Sequence, residues 1–254
     1  MPTIILIIIK NIKISENRGD IVKVLQWNIW YKEDINNIAK ELRRINADVV
    51  CIQELGFSGD DRTSVKVLNE IYPHIYYEIA DTFLDGRSQC NAILSKYPFV
   101  NKNKCYVQEP GLDKNDYSKE GRMYIEVFIN YNNKVYNVGT THLSYTHKFE
   151  ETELKDKEVN KLIDIIKNKK NYIFTGDLNT IRTSKYINKI SEYYNYHDTT
   201  NTWTTKPFSY NGFEANELDY KLDYVFTSSE INVKNIKVID TEYSDHLPIL
   251  CEID

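Results

Sequence analysis

Short runs of β-branched and aromatic residues, five to nine residues long and separated by polar turns, recur along most of this chain. Runs of that length and composition are strands rather than buried helices. They predict strands over Val22–Ile29, Val49–Leu55, Ile75–Ile79, Asn91–Ser95, Met123–Ile129 and Val135–Leu143. Later strands are predicted over Tyr172–Gly176, Leu222–Thr227, Val233–Ile239 and Leu247–Ile253. Two segments carry a helical period instead. Asp34–Asn46 spaces Ile35, Ile38, Leu42 and Ile45 by three and four, and Glu150–Asn168 repeats the stripe with Leu154, Val159, Leu162, Ile163 and Ile166. The other face of the second mixes Lys with Glu, which marks a solvated surface rather than a nucleic-acid patch. Strand runs with helices inserted between them point to an α/β fold of two packed sheets with helices outside.

No period of 20–50 residues recurs, and with nine Gly and six Pro no stretch reads as a linker, so one domain over residues 1–254 is expected. Residues 1–20 form an extra N-terminal segment whose apolar run, Ile4–Ile9, reads as an edge or added strand. That run is far shorter than the ~20 residues needed to span a bilayer. It also lacks a basic flank and a small-residue cleavage site, so no stable membrane insertion is expected. The four cysteines, Cys51, Cys90, Cys105 and Cys251, lie far apart, and three sit in strand-like stretches. They read as reduced structural thiols of a cytoplasmic protein, expected to be a monomer. A net charge of -5 argues against nonspecific coating of nucleic acid, which many Lys/Arg–phosphate contacts drive. It leaves room for an enzyme that meets phosphate only at a metal-filled cleft.

The informative feature is where polar residues interrupt the strands. Gln26 and Asn28 share one face of the first run, Glu54 follows Val49–Ile52, and His142 ends Val138–Thr141. Asp177 and Asn179 follow Tyr172–Gly176, Asp223 sits within Leu222–Phe226, and Asp245–His246 precede Leu247–Leu250. Each alone has an ordinary explanation as a turn or strand-end residue. Together they are a set of carboxylates, amides and imidazoles, and a buried carboxylate is costly unless paired or metal-bound. With no thiol among them, the set suits Mg²⁺ or Mn²⁺ rather than structural zinc. A cation, a base that orients water, and donors to phosphoryl oxygens are the parts of a phosphate-ester hydrolase.

In order along the chain stand W-N-I-W (Trp27–Trp30), D-V-V-C-I-Q-E (Asp48–Glu54), N-A-I-L-S-K-Y-P (Asn91–Pro98) and G-R (Gly121–Arg122). They are followed by T-H-L (Thr141–Leu143), G-D-L-N (Gly176–Asn179), L-D-Y-V-F (Leu222–Phe226) and S-D-H-L-P (Ser244–Pro248). This series resembles the endonuclease/exonuclease/phosphatase superfamily of metal-dependent hydrolases. The resemblance implies a four-layer α/β/β/α sandwich of two packed, mostly antiparallel sheets flanked by helices. It implies Glu54 as the main metal carboxylate, with Asn28 beside it and Asp245 as a further ligand. It implies Asp177 as the residue that positions or deprotonates water, Asn179 as an amide holding the phosphate or that Asp, and His246 as the histidine contacting the scissile phosphate. Asp223 and His142 are implied to touch as an Asp–His pair; Arg122 and Asn91 are implied in substrate binding.

The chain departs from one branch. Exonuclease III and the abasic-site endonucleases carry a Tyr and a Pro-Asn pair where this chain has His142 and Ser144, which disfavours abasic-site repair. T-W-T-T-K at Thr202–Lys206 is similar to a T-W-D-T segment of the 5′-tyrosyl-DNA phosphodiesterases, with Thr204 in place of Asp. Trp203 is thereby a candidate stacking platform. The leading expectation is a Mg²⁺-dependent phosphodiester hydrolase acting on nucleic acid, as a nuclease or DNA-end phosphodiesterase of DNA repair. The alternative is a sphingomyelinase-like or other hydrolase of a phosphorylated small molecule or lipid head group. An inactive binding module would have lost Glu54, Asp177 or His246, and all three are present.

Overall fold

Alternation along a strand decides which side chains meet between two sheets. The computed structural model describes residues 21–114 and 116–254, so the strand expected at Ile4–Ile9 lies outside the described residues. In chain order the first half runs β1 (Val22–Asn28), α1 (Ile35–Ile45), β2 (Val49–Ser58), α2 (Thr63–Asn69), β3 (His74–Thr82), β4 (Arg87–Ser95), β5 (Phe99–Gln108), β6 (Arg122–Tyr131) and β7 (Lys134–His142). The second half runs α3 (Glu153–Ile166), β8 (Tyr172–Asp177), α4 (Lys185–Ser191), β9 (Asn195–Tyr196), β10 (Phe208–Tyr210), β11 (Phe213–Ala215), β12 (Asp223–Thr227), β13 (Val233–Val238) and β14 (Ile249–Ile253).

One six-stranded sheet has the order β13-β14-β1-β2-β4-β3, and the other β5-β6-β7-β8-β12-β9; β10 and β11 form a separate hairpin. Each large sheet holds one parallel pair, β1–β2 and β7–β8, and is otherwise antiparallel. Inward-facing Val22, Val24, Cys51, Ile93, Ile125, Val127, Val138, Ile173, Val225 and Cys251 form the layer between the sheets. Each such Val or Ile contributes roughly 1.5–3 kcal/mol relative to exposure. On the outer face of the first sheet, Ile38 and Leu42 of α1 and Leu68 of α2 pack against Leu25, Trp27 and Val50. Outside the second sheet, Val159, Leu162 and Ile166 of α3 and Ile187 and Ile190 of α4 cover Tyr172, Phe174 and Phe226. The result is the four-layer α/β/β/α sandwich that the resemblance implied.

Helix ends follow their capping chemistry. The Asp34 side chain accepts from Asn36 N and Asn46 closes α1 in the left-handed region, while Thr152 accepts from Lys155 N to start α3. Unpredicted elements are short or exposed. The helices α2 and α4 have seven residues each, too few for a periodic signal. The strand β5 reads N-K-N-K because it is an exposed edge, where lysines discourage pairing with another chain. No helix among the described residues is long and apolar enough to cross a membrane.

Candidate active site

The inward-facing rows change character toward one end of the sandwich. In β1 the row runs Val22, Val24, Gln26, Asn28; in β7, Tyr136, Val138, Thr140, His142; in β8, Ile173, Thr175, Asp177. β12 runs antiparallel to β8 with Asp223 opposite Asp177, so the first residue of β12 reaches the same end. Below these groups lies a buried polar floor. Gln26 donates to Gln53 Oε1 and to Asp223 Oδ1 (3.3 Å), Gln53 Nε2 donates to Thr140 Oγ1 (2.7 Å), and Thr175 Oγ1 reaches Thr140 Oγ1 (3.2 Å). The floor satisfies the polar groups that separate the apolar core from the charged site. Gly176 permits the close approach of β7, because a Cβ there would lie 2.5 Å from Thr141 O.

Glu54 is placed by a bulge. The β2–β4 register shifts between Ile52 and Leu55, and Glu54 takes a positive φ of 59°. A non-glycine residue held there stores roughly 1–3 kcal/mol of strain. The strand therefore does not end at Glu54; it turns that side chain into the cleft and continues to Ser58. Asn28 Nδ2 donates to both Glu54 Oε1 and Asp177 Oδ2 at 3.0 Å, and Asn28 Oδ1 accepts from Trp30 N at 3.0 Å. The amide thus ties two carboxylates together and stands beside Glu54, as the resemblance implied. Burial, and then the Asp245 charge, hold Glu54 above the usual carboxylate range.

Asp177 accepts from Asn28 through Oδ2 and from Asn179 N through Oδ1 (2.9 Å). Burial pushes its pKa up to about 7, with the His246 charge opposing and Asp223 adding to the rise. A carboxylate poised there can accept a proton at neutral pH.

The two histidines correct the expected pairing. Asp223 Oδ2 accepts from Nδ1 of His246, not of His142, at 2.8 Å. Burial works against charge on His246, but Asp223, Asp245 and Asp177 outweigh it and raise its pKa well above the ordinary value. Its Nε2 lies 3.6 Å from Asp177 Oδ2. The backbone is anchored by Trp27 Nε1, which donates to His246 O at 3.0 Å, and by Ser244, whose Oγ donates to Asn28 O and accepts from His246 N. His142 meets amide nitrogens instead: Gln89 Nε2 lies 3.2 Å from Nδ1 and Asn179 Nδ2 lies 3.0 Å from Nε2. An amide nitrogen cannot accept, so a doubly protonated ring would set N–H against N–H on both sides. In the neutral ring one nitrogen accepts and the other keeps its proton, with Asp177 Oδ2 3.5 Å from Nε2. Burial first, then Arg122, His246 and Lys155, drives the His142 pKa well below normal.

Other expected residues divide. Arg122 lines the cleft, but its guanidinium is engaged by Glu120, Ser144 Oγ (3.1 Å) and Gln89 Oε1 (3.3 Å). Asn91 does not line the cleft; its Nδ2 donates to Met123 O at 2.6 Å and ties the two sheets together. Trp203 is only 4% exposed and packs among Phe149, Phe208 and Tyr220, which corrects the stacking expectation. It meets the site through Nε1, which donates to Asp245 Oδ2 at 3.2 Å.

Gln89, Lys155 and Glu158 were missed. Lys155 Nζ donates to Ser144 O and Leu178 O, and Glu158 accepts from Ser144 N and Oγ. This buried pair clamps the loops that carry His142, Asp177 and Asn179. Burial pulls the Lys155 pKa down to about 8. The signal was a charged pair, Lys155 and Glu158, beside Val159 on the apolar stripe of α3.

Two groupings could take a cation. Asp177, Asp223 and His246 place ligand atoms within 4.8 Å of one another. There His246 Nδ1 and Asp223 Oδ2 are already joined at 2.8 Å. Glu54 and Asp245 instead both line the cleft, and the Asp245 charge opposes ionisation of Glu54. An all-oxygen set carrying two mutually repelling carboxylates fits a hard divalent ion.

The model for the "Endonuclease/Exonuclease/phosphatase family" matches residues 25–246. No functionally curated protein matches the chain. Among solved structures, an endonuclease/exonuclease/phosphatase from Beutenbergia cavernae aligns with TM-score 0.73 and 20% identity, over 92% of this chain and 72% of that one. D. rerio TDP2 complexed with a single-strand DNA product aligns with TM-score 0.67 and 16% identity, over 93% and 100%. A Bacteroides thetaiotaomicron mannosyl-6-phosphatase aligns with TM-score 0.66 and 17% identity, over 92% and 99%. At such identities the neighbours establish the fold, and the motif series matched from Leu25 to His246 establishes the lineage: this chain belongs to the endonuclease/exonuclease/phosphatase family.

Proposed function

We propose that the chain is a Mg²⁺- or Mn²⁺-dependent phosphodiester hydrolase acting on nucleic acid. The observation that carries this reading is the convergence, at one end of the inter-sheet layer, of an acidic edge, a raised carboxylate and a charged histidine. Glu54, together with Asp245, would hold the cation, which supplies Lewis-acid neutralisation of phosphoryl charge when bound. Asp177, fixed by Asn28 Nδ2 and Asn179 N, takes the proton of the attacking water. His246, kept charged by Asp223, donates from Nε2 to a phosphoryl oxygen as charge grows on it. His142, neutral and held by Gln89 and Asn179, lines the same wall without adding charge.

TDP2 and the mannosyl-6-phosphatase share this fold almost equally, so overall shape does not separate a diester from a monoester substrate. A panel settles it: single-stranded and duplex DNA, RNA, a choline phosphodiester and mannose 6-phosphate, each with Mg²⁺ or Mn²⁺. Cleavage of a nucleic acid with the highest kcat/KM is expected. Preference for the sugar phosphate or the choline ester would overturn the substrate assignment and keep the chemistry.

A further inference from the structure

The cleft continues past Glu54 into a second hollow of about 620 Å³. The two spaces share Tyr31, Glu54, Gln89 and Glu120, so a group bound beside the scissile phosphate can enter it directly. The same bulge that aims Glu54 builds this hollow, because β2 runs on past it and brings Phe57 and Ser58 opposite Ser88 and Arg87 of β4.

Its lining sets Tyr31, Phe57, Phe83 and Leu84 among polar and charged residues. Tyr31 is 46% and Leu84 73% exposed, an unusual presentation of large apolar groups beside a polar cleft. The Arg87 guanidinium lies 5.0 Å from the Tyr31 ring centre and 5.9 Å from that of Phe83. Both lining cations are already paired, Arg87 Nε with Asp85 at 2.6 Å and Lys114 Nζ with Asp81 at 2.5 Å. A second phosphate placed here would meet Asp61, Asp85 and Glu120, and the nearby Arg62 guanidinium is turned to the Phe57 ring, 4.4 Å from its centre, and to the carbonyls of Gly59 and Asp61. An uncharged planar ring meets no such penalty, and bases stack on aromatic faces and guanidinium planes for about 1–3 kcal/mol each. Across the cleft, Tyr145, Phe208 and Tyr210 form another aromatic wall on the His246 side. A phosphate held at Asp177 and His246 would have an aromatic group on either side, as a diester with two substituents would use.

We propose that the hollow formed by Tyr31, Phe57, Phe83, Leu84 and Arg87 is a subsite for a nucleobase attached next to the scissile phosphate. The proposal rests on the nucleic-acid reading above.

Calorimetry on the Mg²⁺-loaded protein tests it with adenosine 5′-monophosphate, adenosine 3′-monophosphate and ribose 5-phosphate. At least one nucleotide should bind tenfold or more tightly than the sugar phosphate. Phe83→Ala/Leu84→Ala should reduce that advantage at least fivefold and leave ribose 5-phosphate binding unchanged. Should the double variant fail to fold, Leu84→Glu at the exposed rim replaces it, with the same expectation. Equal binding of nucleotide and sugar phosphate, or an advantage that survives in the variant, overturns the subsite. Oligonucleotide cleavage is scored separately. Cleavage without base-dependent binding overturns the subsite alone; base-dependent binding without cleavage of any nucleic acid overturns the reaction and upholds the subsite.

Discussion

His142 and His246 flank Asp177 in one cleft, their Nε2 atoms 3.5 and 3.6 Å from its Oδ2, both buried, and are driven in opposite directions. His246 has a carboxylate on Nδ1 and further carboxylates nearby, so it stays charged. His142 has an amide nitrogen beside each ring nitrogen, neither able to accept from it, and a guanidinium behind Gln89, so it stays neutral. Burial alone would neutralise both; the partner decides the outcome. One histidine can therefore stabilise growing negative charge, while the other lines the site without drawing in a competing anion.

The largest effect should come from breaking the charged side. Asp223→Asn leaves His246 without its counter-charge, and loss of the aspartate from such a pair lowers turnover about 10⁴-fold. The double variant Asp223→Asn/His246→Ala should be little worse than the worse single, as for residues acting as a unit. Combined with His142→Ala, Asp223→Asn should instead multiply. Strong coupling between Asp223 and His142 in kcat/KM would reverse the comparison and restore the pairing the resemblance implied.

A smaller loss is expected on the neutral side. His142→Ala should lower kcat by roughly 10²-fold, because it leaves the Gln89 and Asn179 amides unheld, at about 1–1.5 kcal/mol each. Metal affinity should hold; a parallel fall in Mg²⁺ binding, read by titration calorimetry, would make the ring a ligand.

Gln89→Leu sharpens the same point. It removes the amide between Arg122 and His142, and kcat should fall about tenfold, one lost hydrogen bond to a charged partner being worth about 1.5 kcal/mol. KM should be unchanged, and Gln89→Asn should recover little because its shorter amide cannot bridge both partners. A rise in KM with constant kcat would make Gln89 a substrate contact.

The smallest effect is on stability. The folded-state pKa of His142 is lowered, so below about pH 6.5 the unfolded ring takes up a proton that the folded ring refuses. The unfolded state then binds more protons, and stability falls as pH falls. This one group accounts for at most about 1.4 kcal/mol per pH unit below that point. His142→Asn should flatten the wild-type difference between pH 6.5 and 5 in urea unfolding of the metal-free protein. An unchanged slope would mean that the ring is charged in the folded state.

Much of this was legible in the residues. Period-two alternation put Gln26 and Asn28 on one face, and apolar runs ending in His142 and Asp177 marked the strand ends that form the site. Asn91 and Trp203 misled because motif position says which segment a residue occupies, not how far its side chain lies from the cleft or what packs over it. Gln89 sits two residues before Asn91 on the same face of β4, nearer the cleft, and carries the contact instead. No local signal distinguishes them.

The alphabet of the site and the strands that carry it were set in the residues, since hydrophobic period and chemical type are properties of neighbours in the chain. Who pairs with whom was settled by folding. The partner of Asp223 depends on the register of β12 against β8 and on Trp27 and Ser244 seating the His246 turn. The direction of Glu54 depends on a bulge defined by its partner strand β4. Charge states followed from those placements, because at a few ångströms in a buried site the nearest partner outweighs every preference intrinsic to the residue.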